Sequence, residues 1–350
     1  MTQQASPETA SRSEIPDHIL TAVLEAQRTY GLNSEVTYEA RFLNGIAILG
    51  KTAVVKWPHT PDKITESKVI GLSPERLAAQ AGGDIEREEA FLWQMRFLQS
   101  VRYLPPPPIE VPTIIANQFN PDKPTLIKYL PGEAVATEEL DRFTDTDRLL
   151  VGYTVGEFIA WVSKVQSLAD FHREEAHYKR TPPYDREIAF PKRVQDAKEV
   201  LRAAPATFRQ RVRDTLDAYT AHKQAGRLEP TMVGHKDLAS SNMIFEDNKL
   251  VGIIDFGIAT PSSPARELAH LRLEFGKEAA LAAACAYEDA TGEPIDMSLV
   301  DLWAGIYLFD MCIAQLQSQD HTHLPPHFIS RIKTLYPEDN FELLEGGRHE

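Results

Sequence analysis

The sequence predicts an α+β architecture in which strands come first and helices follow. Alternating apolar positions crowd the first third, helical periodicity fills the remainder, and the Pro131-Gly132 turn marks the change. A chain of 350 residues has material for two domains, each with its own core. The linker is expected near Leu130 to Glu133, which divides the chain into a tail over 1–14, a smaller part over 15–131 and a larger part over 132–350.

The tail, Met1 to Glu14, is rich in Ser, Thr, Gln and Glu without an apolar run, and reads as disordered rather than as a signal peptide. Ile15 to Tyr30 places Ile19, Leu20, Val23 and Leu24 on one helical face. Val36 to Phe42, Gly45 to Leu49 and Thr52 to Trp57 alternate as strands, the last two joined by Gly50-Lys51. A charged helical insert covers about Asp62 to Gly83, and Asp84 caps a helix over Ile85 to Ser100. Pro105 to Pro108 is a rigid extended spacer, followed by strands at Glu110 to Asn117 and Thr125 to Tyr129. Helices are then expected over Val155 to His172, Phe190 to Ala203, Ala206 to Gln224, Ala265 to Phe275, Lys277 to Thr291 and Ser298 to Gln319.

Composition narrows the class. Apolar content of 43% and charged content of 25% suit a soluble globular protein, expected in the cytoplasm. No window reaches the roughly 18–20 uninterrupted apolar residues of a membrane span, so no membrane partner is expected. Cys285 and Cys312 both sit in apolar helical contexts and read as reduced, buried thiols. The net charge of −14 argues against nucleic acid and is compatible with a small cationic partner.

The stretch that carries chemistry is His235-Lys236-Asp237-Leu238-Ala239-Ser240-Ser241-Asn242, followed by the apolar strand Leu250 to Ile254 and then Asp255-Phe256-Gly257. Phosphoryl transfer from a nucleotide needs a carboxylate beside the acceptor hydroxyl, and an amide with a second carboxylate on a metal ion. Asp237 is the candidate aligning carboxylate or base. Asn242 and Asp255 are the candidate metal ligands, and His235 braces the loop rather than shuttling protons. A surface turn that merely contains His, Asp and Asn does not account for the joint spacing.

Upstream, Lys56 ends the apolar run Ala53-Val54-Val55 and is placed to hold nucleotide phosphates. Its carboxylate partner is expected at Glu88, with Glu89 next and Glu66 a further choice. There is no G-x-G-x-x-G. Asn44 and Gly45 form the plausible phosphate-covering turn, with a plain hairpin as the alternative. Backbone groups of Lys128, Tyr129 and Leu130 are expected at the edge of the nucleotide base, unless the segment is only a linker. Glu267, Glu274, Asp301 and Asp310 are the acidic groups that could meet an amine-bearing acceptor, against the alternative of solvated faces. Trp303, Tyr307 and Phe309, at helical spacing, read as core as readily as pocket lining.

Taken together, these residues resemble the aminoglycoside phosphotransferase and choline-kinase-like group of small-molecule kinases, over about Val36 to Gln319. The resemblance implies a protein-kinase-like two-lobed fold, with a small N-lobe of antiparallel sheet plus helix and a larger, mainly helical C-lobe. It also implies Mg2+ as metal, ATP or GTP as donor bound between the lobes, and a small-molecule hydroxyl as acceptor. Asp237 would be the catalytic carboxylate, Asn242 and Asp255 the magnesium ligands, and Lys56 the phosphate contact. Leu168-Ala169-Asp170-Phe171-His172 looks like the family's helix end before its substrate-binding insert. In two places the chain departs from the pattern. Glu267-Leu268-Ala269 stands where the family has Asp-Leu-Ala, and Lys236 replaces a Gly or Asn and is expected to point to solvent. A protein kinase is disfavoured, because no A-P-E follows Asp255-Phe256-Gly257 and Ala239 stands where such kinases carry lysine. The acceptor could be an aminoglycoside, a choline-like alcohol, a sugar or an amino-acid hydroxyl. A nucleotide-binding pseudokinase acting through protein contacts is the alternative from another class.

Overall fold

The computed structural model describes residues 21, 23, 24, 27, 28, 36–40, 44–49, 53–58, 94, 95, 97, 98, 101, 104–116, 125–164, 186–318 and 324–339. The expected tail, the Asp62 to Gly83 insert, Glu66, Glu88, Glu89 and the Leu168 to His172 helix end lie outside them. The chain divides into two compact units. The first takes Met1–Tyr103, Glu110–Pro131 and Asp255–Gly257; the second takes Leu104–Ile109, Gly132–Ile254 and Ile258–Glu350.

The first unit holds an antiparallel five-stranded sheet in the order β1-β2-β3-β5-β4. Its strands are β1 (Val36–Ala40), β2 (Asn44–Leu49), β3 (Ala53–Pro58), β4 (Ile114–Ala116) and β5 (Thr125–Lys128). Period-two alternation buries Ala53 and Val55 of β3 and Thr125 and Ile127 of β5. Residues 94, 95, 97 and 98 are helical and buried, as the predicted Ile85 to Ser100 helix requires. Among the described residues the predicted strand Glu110 to Asn117 is reduced to β4, whose ladder carries a register shift between Ile114 and Ala116.

At Gly132 the chain enters the second unit. Its φ of 110° and the 2.6 Å that would separate a Cβ from the Phe245 carbonyl oxygen both require glycine there. β6 (Glu133–Ala134), β8 (Met243–Glu246) and β9 (Lys249–Ile253) form one small sheet, and β7 (Met232–Gly234) pairs with β10 (Thr260–Ser262) in another. Asp247 and Asn248, both at positive φ, make the tight turn of the β8–β9 hairpin.

Helices fill the rest: α1 (Asp145–Val162), α2 (Arg186–Asp196), α3 (Lys198–Ala203), α4 (Ala206–Gln224), α5 (Pro264–Glu274), α6 (Lys277–Thr291), α7 (Met297–Ser318) and α8 (Pro326–Leu335). α1 begins ten residues before the predicted Val155, at a reciprocal cap between Thr144 and Asp147. That cap's hydrogen bonds also hold the Asp147 carboxyl below its ordinary range. α7 is apolar and long enough by composition to cross a membrane, yet it is mostly buried, carries Asp301 and Asp310, and packs against α2, α4, α5 and α8. It is the core helix of this unit. Cys312 on α7 is buried, which pushes its thiol pKa well up, whereas Cys285 on α6 is exposed, contrary to expectation. Position 285 falls on the solvent side of an alanine-rich helix, where composition alone gave no phase.

α1 and α6 cross closely. A Cβ on Gly152 or Gly156 would lie 2.2 Å from the carbonyl oxygen of Ala279 or Ala283, so backbone would meet side chain with no flexible atom to yield. Gly156→Ala is therefore expected to lower the unfolding free energy by about 1–3 kcal/mol, despite a gain of about 1 kcal/mol in helix propensity. Urea unfolding checks this; a variant as stable as the parent contradicts the crossing.

Candidate active site

β7 delivers the chain into the His235–Asn242 loop with nothing regular to hold it. Beyond β7, backbone amides must find partners elsewhere. Glu267, in the first turn of α5, supplies them. Its carboxylate accepts from the amides of His235 at 2.8 Å and Lys236 at 3.0 Å, and from the Ser262 hydroxyl. Lys236 adopts φ 64°, a left-handed turn that presents successive amides to one acceptor. Gly234 makes room, since a Cβ there would lie 2.2 Å from Glu267 Oε1.

This geometry corrects two expectations. Glu267 is 2% exposed and fully engaged inside the molecule, so it does not meet an acceptor. Lys236 is 7% exposed rather than turned to solvent. The left-handed conformation explains why glycine or asparagine suits that position, and that preference was the signal available in the sequence.

His235 is fully buried. Its Nδ1 accepts from the Asp237 amide at 3.2 Å, which leaves Nε2–H to donate to the Ile254 carbonyl at 2.8 Å. The ring therefore bridges the loop to the end of β9, the bracing role assigned from sequence. Ile254 in turn donates its amide to the Asn242 carbonyl at 2.9 Å, a second tie between the same segments.

Asn242 closes a 3-10 turn over Ser240–Asn242. Its Nδ2 donates to both the carbonyl and Oδ2 of Asp237, each at 2.9 Å. Both partners are acceptors, so the amide nitrogen faces Asp237 and Oδ1 takes no part in these two bonds. The Asp237 side chain keeps 38% exposure, and its other oxygen, Oδ1, lies 3.7 Å from His270 Nε2. A carboxylate with one oxygen oriented by an amide and the other partly open can align and receive the hydrogen of an incoming hydroxyl.

His270 was not singled out from the sequence. It lies one turn along α5 from Glu267, stacks on Tyr307 at 4.8 Å, and is buried with it. Arg266 donates to the Tyr307 hydroxyl at 2.9 Å and lies over the Trp303 ring. Trp303, Tyr307 and Phe309 are all buried core residues.

The other acidic candidates are also committed. Glu274, 6% exposed, accepts from the Ser240 amide at 2.7 Å and pairs with Arg331. Asp310, 2% exposed, pairs with Arg193 at 2.5 Å, and Asp301 with Arg272 at 2.7 Å. Glu274 and Asp310 are internal and not open ligands for an amine, whereas Asp301 is half exposed and engaged by Arg272.

In the first unit, Asp255 has φ 65°, and Phe256 is fully buried with its ring stacked on Phe97 at 4.7 Å. Asp255 carries a carboxylate and Asn242 an amide oxygen, each a hard oxygen donor of the kind magnesium takes. Lys56 sits in β3 opposite Ile46 and Thr125. Asn44 and Gly45 are strand residues, paired with Pro58 and Trp57, and not a turn. The Lys128 amide is committed to the Thr113 carbonyl at 2.8 Å, and its ammonium pairs with Glu110 at 2.9 Å. Of the segment expected at a nucleotide base, Lys128 thus belongs to the sheet, and Tyr129 and Leu130 follow it.

A family model described as a phosphotransferase enzyme family matches residues 80–303. No curated protein matches the chain significantly by sequence. Among solved structures, the ADP-bound aminoglycoside phosphotransferase APH(2'')-Ib is 15% identical with a TM-score of 0.52, covering 93% of this chain and 99% of its own. The GDP complex of aminoglycoside 2'-phosphotransferase-IIIa is 15% identical with a TM-score of 0.60, covering 91% and 97%. The macrolide 2'-phosphotransferase MphH from Brachybacterium faecium is 16% identical with a TM-score of 0.55, covering 92% and 100%. At such identities the likeness shows the fold, which is the α+β, protein-kinase-like fold expected from the sequence.

Glu267→Ala strands its buried donors, and Gly234→Ala displaces the same carboxylate. Each is expected to cost about 3 kcal/mol or more in chemical denaturation. Glu199→Ala, which breaks an exposed pair with Arg202, is expected to cost under about 0.5 kcal/mol. Equal effects of the three would contradict the bracing role.

Proposed function

The chain belongs to the phosphotransferase enzyme family, and from that premise we propose that it moves the γ-phosphoryl group of ATP or GTP, with magnesium, to a hydroxyl of a small molecule. The observation that carries this reading is the oriented, partly open Asp237 carboxylate on a loop anchored from both neighbouring segments. Asp237 aligns the acceptor hydroxyl and takes its proton as the oxygen–phosphorus bond forms. Asn242 and Asp255 would hold the cation, which when bound would offset charge developing on the phosphate oxygens. Lys56 contacts the nucleotide phosphates, and Tyr129 and Leu130 the base.

Nucleotide use is supported by relatives of the same fold solved with ADP and GDP. A small-molecule acceptor is supported by fold relatives that are aminoglycoside and macrolide phosphotransferases. Because Glu267, Glu274, Asp301 and Asp310 are all engaged within the protein, the reading does not depend on a cationic acceptor.

A panel of hydroxyl compounds screened for magnesium-dependent consumption of ATP and GTP, with the product located by phosphorus NMR, tests the proposal. Asp237→Ala is expected to reduce turnover by about 1000-fold or more while nucleotide binding persists. Asp255→Ala is expected to weaken magnesium–nucleotide binding as well. Unchanged turnover in Asp237→Ala overturns the assigned role. Nucleotide binding with no transfer to any acceptor favours a pseudokinase.

A further inference from the structure

We propose that Arg331, on the C-terminal helix α8, is a positioning residue for phosphoryl transfer, acting through Glu274 on the far end of the catalytic loop. The proposal rests on the phosphotransfer reading above. It concerns a residue beyond the span 80–303 that matches the family model.

Glu267, His270 and Glu274 are three and seven residues apart on α5, which places them on one helical face. In that order they address successive points of the loop. Glu267 takes the His235 and Lys236 amides, His270 approaches Asp237, and Glu274 takes the Ser240 amide. At 1.5 Å per residue the two glutamates stand about 10 Å apart along the helix axis. The helix thus fixes the loop at both ends.

The two ends differ in what keeps the carboxylate in place. Glu267 is satisfied by loop amides and a hydroxyl. Glu274 is met by one loop residue, Ser240, through its amide and hydroxyl, and its second oxygen pairs with the Arg331 guanidinium, which also donates to Thr137 Oγ1 at 2.8 Å. The Glu274 side chain is 2% exposed and that of Arg331 14%. Burial pushes the Glu274 carboxyl up, and Arg331 is the foremost influence pulling it back, followed by the Ser240 amide. An ionised acceptor makes the stronger bond to the Ser240 amide.

Ser240 opens the 3-10 turn that carries Asn242, and Asn242 orients the Asp237 carboxylate. The line of contact therefore runs from Arg331 through Glu274, Ser240 and Asn242 to Asp237. Loss of the guanidinium leaves a buried carboxylate without its counter-ion and frees the turn that aims the reacting groups.

Steady-state kinetics of Arg331→Met, Arg331→Lys and the double variant Arg331→Met/Glu274→Gln, measured well below each unfolding midpoint, test the link. Arg331→Met is expected to lower kcat about 100-fold, as misplacement of reacting groups by an ångström does, with nucleotide KM within about threefold. Arg331→Lys restores kcat to within about tenfold of the parent, because an ammonium still neutralises Glu274. The double variant regains the unfolding midpoint but stays at least about tenfold slow, since an amide oxygen is a weaker acceptor for the Ser240 amide. Parental kcat in folded Arg331→Met overturns the proposal, as does recovery of midpoint and kcat together in the double variant. If the parent chain transfers no phosphoryl group, the phosphotransfer reading fails separately. The link is then read from hydrogen exchange at the Ser240 amide, about tenfold faster in Arg331→Met if the link holds and unchanged if it is wrong.

Discussion

A single buried carboxylate, that of Glu267, fixes the entry of the catalytic loop. The loop leaves β7 with no ladder to join, and Lys236 takes a left-handed conformation that a lysine adopts at a cost. Three donors converge on the carboxylate: the His235 amide, the Lys236 amide and the Ser262 hydroxyl. Charge-assisted bonds contribute about 1.5–3 kcal/mol each, enough together to offset a desolvation penalty of several kcal/mol for the buried anion. The position of Glu267 in the first turn of α5 adds the favourable field of the helix N-terminus. The rest of the site is arranged around a loop so fixed. His235 ties it to the end of β9, Asn242 turns back on Asp237, and the Asp237 side chain stays partly exposed.

The acidic balance of the chain takes on a different meaning in this light. A net charge of −14 invites a search for a cation-binding surface. Yet Glu267, Glu274, Asp301 and Asp310 each hold protein donors, two of them on the catalytic loop. Their work is to orient backbone and neighbouring helices. Acceptor choice must then be argued from shape and hydroxyl geometry near Asp237, where the buried His270, Tyr307 and Arg266 stand together.

Much of this was legible in the residues. α4 and α6 fall on their predicted bounds, and α5 and α7 within a residue, because apolar periodicity and flanking Gly, Pro and Ser leave little freedom. The bracing of the loop by His235 follows from the spacing of the motif. What was not legible came from tertiary partners. α1 starts early because Thr144 and Asp147 cap each other, a short polar signal beside a weak apolar one. Asn44 and Gly45 read as a turn but extend a ladder with β3. Glu267 and Glu274 read as groups for an amine-bearing acceptor or as solvated faces, because a sequence shows their spacing and not the loop amides that face them. His270 carried no motif, and its proximity to Asp237 arises only when α5 packs beneath the loop.

Hydrogen exchange at the amides of His235 and Lys236 tests the central claim most directly, because neither lies in a helix or strand and each donates to Glu267. The account predicts that both exchange as slowly as core amides of α7, and that Glu267→Gln releases them while α7 stays protected. Fast exchange of these two amides in the parent protein would contradict it.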